Sequence, residues 1–180
     1  MPHAHVILHR VGPGQDEVLL AQKNLYLPPH GAYLYAAIAR HAVQYVIPGG
    51  KLVEGESAEQ AAVREFFEDA GVALAAFNLR PLGTIGDRAF FEARNPEPFD
   101  LGAVNRTLRD GSARSLKSNN LAWVSRELAA SWLGHKKEYE TLPWVTEQVM
   151  RAIQAGFGRD HIARRAFDAH QPFVDALARL

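Results

Sequence analysis

The apolar positions near the start of the chain form short runs separated by turn residues. Residues 3–11 and 17–22 are two such runs, and the Gly, Pro and Asp residues between them predict a turn joining two β-strands. A third run, residues 44–47, ends at Pro48 and two glycines, which predict a tight loop. The front of the chain is therefore predicted to be largely β-structure.

Residues 58–70 follow a helical period instead. Ser57 is suited to the N-cap position, and Gln60, three residues later, completes a capping box. Gly71 is suited to the left-handed position that ends a helix. Small and aromatic residues on one side predict a face that packs on a sheet; they are Ala58, Ala61, Ala62, Phe66 and Ala70.

The second half of the chain predicts two more strands and then a long loop. Residues 79–85 and 88–93 flank Gly86 and Asp87, which predict a hairpin turn. Residues 95–118 are rich in polar and turn-forming residues, so they predict a long loop that could hold one short helix.

The remaining segments predict one strand and several helices. Residues 120–124 predict a strand in which Trp123 is interpreted as a core residue, and Ser125 is suited to cap the helix that follows. A further helix is predicted over residues 141–155. Asp160 would cap a last helix, which Pro172 is expected to interrupt.

The composition is that of an ordinary globular protein. The 180 residues, 47% of them hydrophobic, predict one domain, 1–180, with a substantial core. Twenty basic and twenty acidic residues cancel, so we expect no specific nucleic acid partner. There is no cysteine for disulfide or thiol chemistry. No signal-peptide pattern or membrane-length apolar run is present, so we expect a cytoplasmic protein with no membrane partner.

Three histidines, His3, His5 and His9, share one side of the first predicted strand because side chains alternate along a strand. This arrangement is either a metal-binding cluster or an ordinary strand face. The ordinary face is the favoured interpretation.

Three carboxylates cluster on the predicted helix behind Arg64. Glu65, Glu68 and Asp69 occupy positions i, i+3 and i+4, which puts them on one face within about one turn. Like charges this close repel each other, so a cation is expected between them. Oxygen ligands on one face suit a hard divalent cation such as Mg²⁺ or Mn²⁺.

Residues 50–72 resemble the signature of the Nudix hydrolases, G-x5-E-x7-R-E-U-x-E-E-x-G-U, in which U is a bulky apolar residue. Asp69 stands where the family usually has Glu, and Phe66 stands where an aliphatic residue is commoner. A carboxylate is kept at the first of these positions, so metal ligation is expected to survive. The matching positions are Gly50, Glu56, Arg64, Glu65, Phe66, Glu68, Asp69, Gly71 and Val72.

The resemblance implies an α/β fold, a Nudix-type α/β/α sandwich around a mixed β-sheet. It implies hydrolysis of a diphosphate linkage in a nucleoside diphosphate joined to another group, with Mg²⁺ or Mn²⁺ as cofactor. The implied metal ligands are Glu68 and Asp69, with the backbone carbonyl of Gly49 nearby, and Glu65 is either a further ligand or the general base. Arg64 would orient the acids by charge-assisted hydrogen bonds.

Family members differ in their general base, and this sequence offers two versions. Glu65 is favoured because the helix fixes it beside the implied metals, so Arg64, Glu65 and Glu68 form the expected catalytic set. The alternative is an acid on a later loop, Glu138 or Glu140. Glu56 would support the acidic network or hold a metal through water.

Residues 24–42 look like an insertion between two strands that Nudix proteins commonly join by a shorter loop, and residues 33–42 look helical. Tyr26, Tyr33 and Tyr35 could stack on the base of a substrate. The segment could instead be a hydrophobic flap or a subunit contact in a homodimer. Both interpretations stay open.

Two other functions are compatible with the same fold. A nucleotide-binding or regulatory protein without catalysis would be expected to lose motif acids, which this chain keeps. A diphosphate isomerase would be expected to use a catalytic cysteine, which this chain lacks. The expected partner is a small nucleotide-type diphosphate; nucleoside triphosphates, nucleotide sugars, dinucleotides and coenzyme A all fit.

Overall fold

The structure, a computed structural model, describes residues 2–24, 44–74, 79–94, 99–109, 117–134 and 171–180, and the backbone of residues 26–27 and 37–38. The strands are β1 (His3–Val11), β2 (Asp16–Lys23), β3 (Tyr26–Leu27), β4 (Ala37–Ile38), β5 (Tyr45–Val46), β6 (Gly49–Lys51), β7 (Arg80–Ile85), β8 (Arg88–Arg94) and β9 (Ser118–Ser125). The helices are α1 (Ala58–Ala70), α2 (Leu101–Arg109), α3 (Arg126–Gly134) and α4 (Gln171–Leu177).

Seven of these strands form one mixed sheet with β1 and β2 at its centre. The order is β5-β2-β1-β8-β7, and β6 also pairs with β1 while β9 pairs with β2. β1 and β8 run parallel, and the other pairs in this sheet are antiparallel. β3 and β4 form a separate antiparallel pair.

Helices cover both faces of the mixed sheet, which explains why β1 and β2 are apolar at consecutive positions. Val6 and Leu19 face the core under α1 and α2, where Phe66 is fully buried. Their chain neighbours Ile7 and Val18 face the core under α3 and α4. The predicted α/β/α sandwich around a mixed sheet is therefore confirmed. No described helix is long and apolar enough to cross a membrane.

The ends of α1 are as predicted. The Ser57 hydroxyl accepts the backbone N–H of Gln60 at 3.1 Å, and the Gln60 side chain accepts the N–H of Ser57 at 2.9 Å. Gly71 ends the helix with φ +66°, and its N–H donates to the carbonyl of Phe67 at 2.8 Å. These bonds satisfy backbone groups that the helix ends would otherwise leave unpaired, so the boundaries of α1 are set locally.

Two predictions about secondary structure were wrong. The predicted tight loop at residues 48–50 is partly strand, because Gly49–Lys51 pairs with β1. Ala37–Ile38 is also strand, since it pairs with Tyr26–Leu27 instead of forming a helical turn. Pro172 lies in the first turn of α4, where its missing N–H has no helical partner to lose; the helix predicted to begin at Asp160 lies outside the described residues before it. The helix predicted over residues 141–155 lies outside the described residues.

The histidine side of β1 is an ordinary strand face. His5 is buried, with its ring centroid 5.4 Å from that of Phe90 and 4.8 Å from that of Phe173. His3 and His9 each lie near an acidic side chain, at 3.5 Å and 3.7 Å. In the part of the chain that the structure describes, no three His, Asp or Glu side chains are arranged there or elsewhere so that they converge on one metal position. Burial, reinforced by the charge of Arg88, lowers the pKa of His5 to about 3.

Candidate active site

Two glycines bring the backbone of β6 close to β1 and α1. Gly49 has φ +152°, and a Cβ there would lie 2.3 Å from both the carbonyl oxygen of Ala4 and Nδ1 of His5. A Cβ on Gly50 would lie 2.2 Å from a carboxylate oxygen of Glu65. Distances this short exclude a side chain unless its neighbours move, so glycine lets β6 lie against the helix that carries the acids.

One guanidinium holds three carboxylates of the motif. Nε and Nη2 of Arg64 each donate to one oxygen of Glu56 at 2.9 Å, a two-pronged contact. Nη1 donates to Glu65 at 2.8 Å and to Glu68 at 3.0 Å, and Nη2 also donates to the carbonyl of Lys51 at 2.9 Å. Forked contacts of this kind fix direction as well as charge. Arg64 therefore orients three of the four carboxylates that we call the acidic cluster: Glu56, Glu65, Glu68 and Asp69.

Two lysines that the sequence analysis did not identify complete the charge pattern. The Lys117 ammonium lies 2.7 Å from Oε2 of Glu65 and 2.6 Å from Oε2 of Glu68. The Lys23 ammonium pairs with Oδ1 of Asp69, which is fully buried. Lys23 is the last residue of β2 and lies opposite Ser118, the first residue of β9, so Lys117, which directly precedes β9, lies near it. No local sequence signal links them, so only the strand pairing identifies them.

Asp69 contacts the glycine turn as well as a lysine. Its Oδ2 accepts the backbone N–H of Gly49 at 3.0 Å, while its Oδ1 faces Lys23. This carboxylate therefore ties the C-terminal turn of α1 to β6. The shorter side chain of Asp reaches this N–H directly, which is a structural role for the residue that departs from the usual family pattern.

Hydrogen bonds and burial shift the pKa values of the cluster in opposite directions. Burial alone would raise the pKa of Glu68, but hydrogen bonds from Lys117 and Arg64 outweigh it and lower the pKa. Burial would lower the pKa of Lys117, but its bonds to Glu65 and Glu68 raise it. The Arg64 contact also lowers the pKa of Glu56. Glu56 and Glu68 are therefore ionised at neutral pH.

The carboxylate oxygens around the Lys117 ammonium suit a hard cation as ligands. Glu65 and Glu68 each direct one oxygen to the same positive group, and carboxylate oxygens are the ligands that Mg²⁺ and Mn²⁺ prefer. Asp69 faces another cation, so the described acids do not all converge on one point. Among the expected substrate and base residues, Tyr26 lies in β3, with only its backbone described. Tyr33, Tyr35, Glu138 and Glu140 lie outside the described residues.

Comparison with solved structures gives matches at low sequence identity. An Ap4A hydrolase from C. elegans, solved as a binary complex, is 21% identical, covers 87% of this chain and 98% of its own, and has a TM-score of 0.46. The Nudix hydrolase RenU from M. smegmatis is 21% identical, covers 87% of both chains and has a TM-score of 0.48. A mutT/nudix family protein from Listeria innocua is 18% identical, covers 86% and 99%, and also has a TM-score of 0.48.

Comparison with curated proteins gives no match. The family model for the NUDIX domain matches residues 1–145, which include the sheet strands β1, β2 and β5–β9, the acidic cluster and both lysines. That match covers most of the chain and includes the motif on which the resemblance was based. The chain therefore belongs to the Nudix family.

Proposed function

We propose that this protein is a metal-dependent hydrolase that cleaves the diphosphate linkage of a nucleoside diphosphate joined to another group. The observation that carries the proposal is the set of contacts made by Arg64, which holds Glu56, Glu65 and Glu68 together on one side of α1. Three carboxylates at one place repel one another unless cations compensate them. A polyanionic diphosphate requires cations to compensate its charge, and an acidic cluster can bind those cations.

Glu65, Glu68 and Asp69, with the carbonyl of Gly49, are the residues that would hold Mg²⁺ or Mn²⁺. When bound, a divalent cation would screen phosphoryl oxygens and make water more acidic. Arg64 would not contact substrate in this proposal, because its hydrogen bonds go to the cluster and to the carbonyl of Lys51. Its task is to keep the carboxylates in a fixed arrangement.

Glu65 is our candidate for the general base. It is only 5% exposed, and α1, Arg64 and the nearby Gly50 backbone restrict its carboxylate. Restriction favours proton transfer because the base need not be reoriented during the reaction. Glu65→Gln should reduce kcat far more than Glu138→Gln or Glu140→Gln. If a loop variant loses as much activity while it still binds Mn²⁺, the general base is the loop acid that was replaced.

The substrate is tested with a panel of dinucleoside polyphosphates, nucleotide sugars, coenzyme A and nucleoside triphosphates, with Mg²⁺ or Mn²⁺ added. Release of phosphate or of a nucleoside monophosphate is measured. Glu68→Gln should lower turnover by about 100-fold or more, since it removes one charge of the metal site. Glu59→Gln, an exposed acid in the first turn of the same helix, is the matched control and should keep full activity. Full activity in EDTA would refute the metal requirement.

The alternative is a regulatory protein that binds a nucleotide without cleaving it. The observation that favours it is the Lys117 ammonium between Glu65 and Glu68, because a permanent cation could neutralise these acids without a metal. Nucleotide binding that is equally tight in EDTA and in Mg²⁺, with no product formed from any member of the panel, would support this alternative.

A further inference from the structure

The Lys117 ammonium uses the oxygens that a divalent cation would need. It lies 2.7 Å from Oε2 of Glu65 and 2.6 Å from Oε2 of Glu68. Mg²⁺ binds carboxylate oxygens at about 2.0–2.1 Å, so an ammonium and a metal ion cannot both occupy the space between these two atoms. The other oxygens of Glu65 and Glu68 already accept hydrogen bonds from Arg64. Of the four oxygens, two are therefore committed to Arg64 and two to Lys117.

We propose that Lys117 is an intramolecular competitor of the divalent cation, so that metal binding requires displacement of its ammonium from Glu65 and Glu68. The inference rests on the proposed function, because it assumes that these acids hold a metal. Exchange of one cation for another keeps both carboxylates compensated throughout. Lys117 therefore weakens metal binding and stabilises the protein when metal is scarce.

The backbone around Lys117 is anchored, so the competing ammonium stays near the site after displacement. The N–H of Lys117 donates to the carbonyl of Glu68 at 2.8 Å, and its own carbonyl accepts the N–H of Asn24 at 2.9 Å. The next residue, Ser118, is fully buried in β9. Displacement is therefore limited to the flexible side chain, while the backbone remains fixed beside α1.

Mn²⁺ binding to the free protein tests the competition without any measurement of activity. Electron paramagnetic resonance counts free Mn²⁺ during titration of the wild type and of Lys117→Met, which keeps most of the side-chain volume and removes the charge. We expect Lys117→Met to bind Mn²⁺ at least about 10-fold more tightly, a ratio that corresponds to about 1.4 kcal/mol. Lys117→Gln is a second variant in case the first does not fold, and Lys117→Arg should remain close to the wild type.

Lys51→Met is the matched control, because Lys51 is exposed, adjoins Gly50 and pairs with no described carboxylate. Its Mn²⁺ affinity should follow that of the wild type. Thermal unfolding gives a second readout. Without metal, Lys117→Met should have a lower melting temperature than the wild type, and saturating Mn²⁺ should raise the melting temperature of Lys117→Met by more than it raises that of the wild type.

The possible results separate the two proposals. If the wild type binds Mn²⁺ and Lys117→Met binds it no more tightly, the competition is refuted while the metal site stands. If Lys51→Met tightens binding as much as Lys117→Met, the effect is one of net charge and the competition is likewise refuted. If neither the wild type nor the Lys117 variants bind Mn²⁺, the metal site of the proposed function fails together with this inference.

Discussion

Replacing Arg64 by Met tests whether this residue organises the acidic cluster. The guanidinium makes five hydrogen bonds, four of them to the carboxylates of Glu56, Glu65 and Glu68. Hydrogen bonds to charged groups contribute about 1.5–3 kcal/mol each when buried, and exposed ion pairs contribute about 0–1 kcal/mol. The Arg64 side chain is 32% exposed, so each contact lies between these limits.

We expect Arg64→Met to lower the free energy of unfolding by about 2–4 kcal/mol, because breaking a partly buried charge network leaves its acids uncompensated. Urea unfolding followed by circular dichroism measures this change. Arg64→Lys keeps the charge but cannot form the forked contact with Glu56, so it should recover only part of the loss. Higher salt should reduce the difference between Arg64→Met and the wild type, since salt screens the repulsion among the acids.

The control is Arg126→Met, which removes an exposed arginine from the first turn of α3. It should change the unfolding free energy by about 0.5 kcal/mol or less. If Arg64→Met is as stable as this control, or if Arg64→Lys is indistinguishable from the wild type, Arg64 does not organise the cluster. Its contacts would then be incidental to stability.

Three further predictions concern other parts of the fold. His5 has a native pKa of about 3 against an ordinary 6.5, so only the unfolded chain takes up its proton as the pH falls between these values. The free energy of unfolding should therefore be about 2–3 kcal/mol lower at pH 4.5 than at pH 7. His5→Gln should reduce this dependence of the unfolding free energy on pH, measured by urea unfolding. Gly49→Ala should cost more than about 2 kcal/mol through strain and contact with β1, and an unchanged melting temperature would contradict this. If Tyr26 stacks on a base, Tyr26→Ala should raise KM by an amount equivalent to about 1–3 kcal/mol; unchanged kinetics with an altered oligomer size would instead indicate a subunit contact.

Elements specified by neighbouring residues could be predicted from the sequence. The bounds of β1 are those expected, and α1 begins after Ser57 and ends at Gly71 because its caps are local. The pairing of the strands could not be derived in the same way. β6 appears in the sheet because Gly49 and Gly50 lie against β1, and this depends on a contact with a distant part of the chain.

The candidate site also has one part that neighbouring residues specify and one part that depends on strand pairing. The acidic face could be predicted because Glu65, Glu68 and Asp69 lie on one helix with a fixed period. Their cationic partners could not, because Lys23 is the last residue of β2 and Lys117 directly precedes β9, and no local pattern links either lysine to the acids. They meet the acids only through the register between β2 and β9, which local residue patterns do not specify.

The position of Lys117 in the chain also has a consequence for folding during synthesis. The acids of α1 emerge from the ribosome well before Lys117, which lies beyond α2 and the residues that follow it. Until β9 pairs with β2, Glu65 and Glu68 have Arg64 but not the ammonium that later joins them. Pairing between segments so distant in sequence is slow. Until then Arg64 is the cation of the cluster that compensates Glu65 and Glu68, and added salt should weaken the repulsion between these two acids.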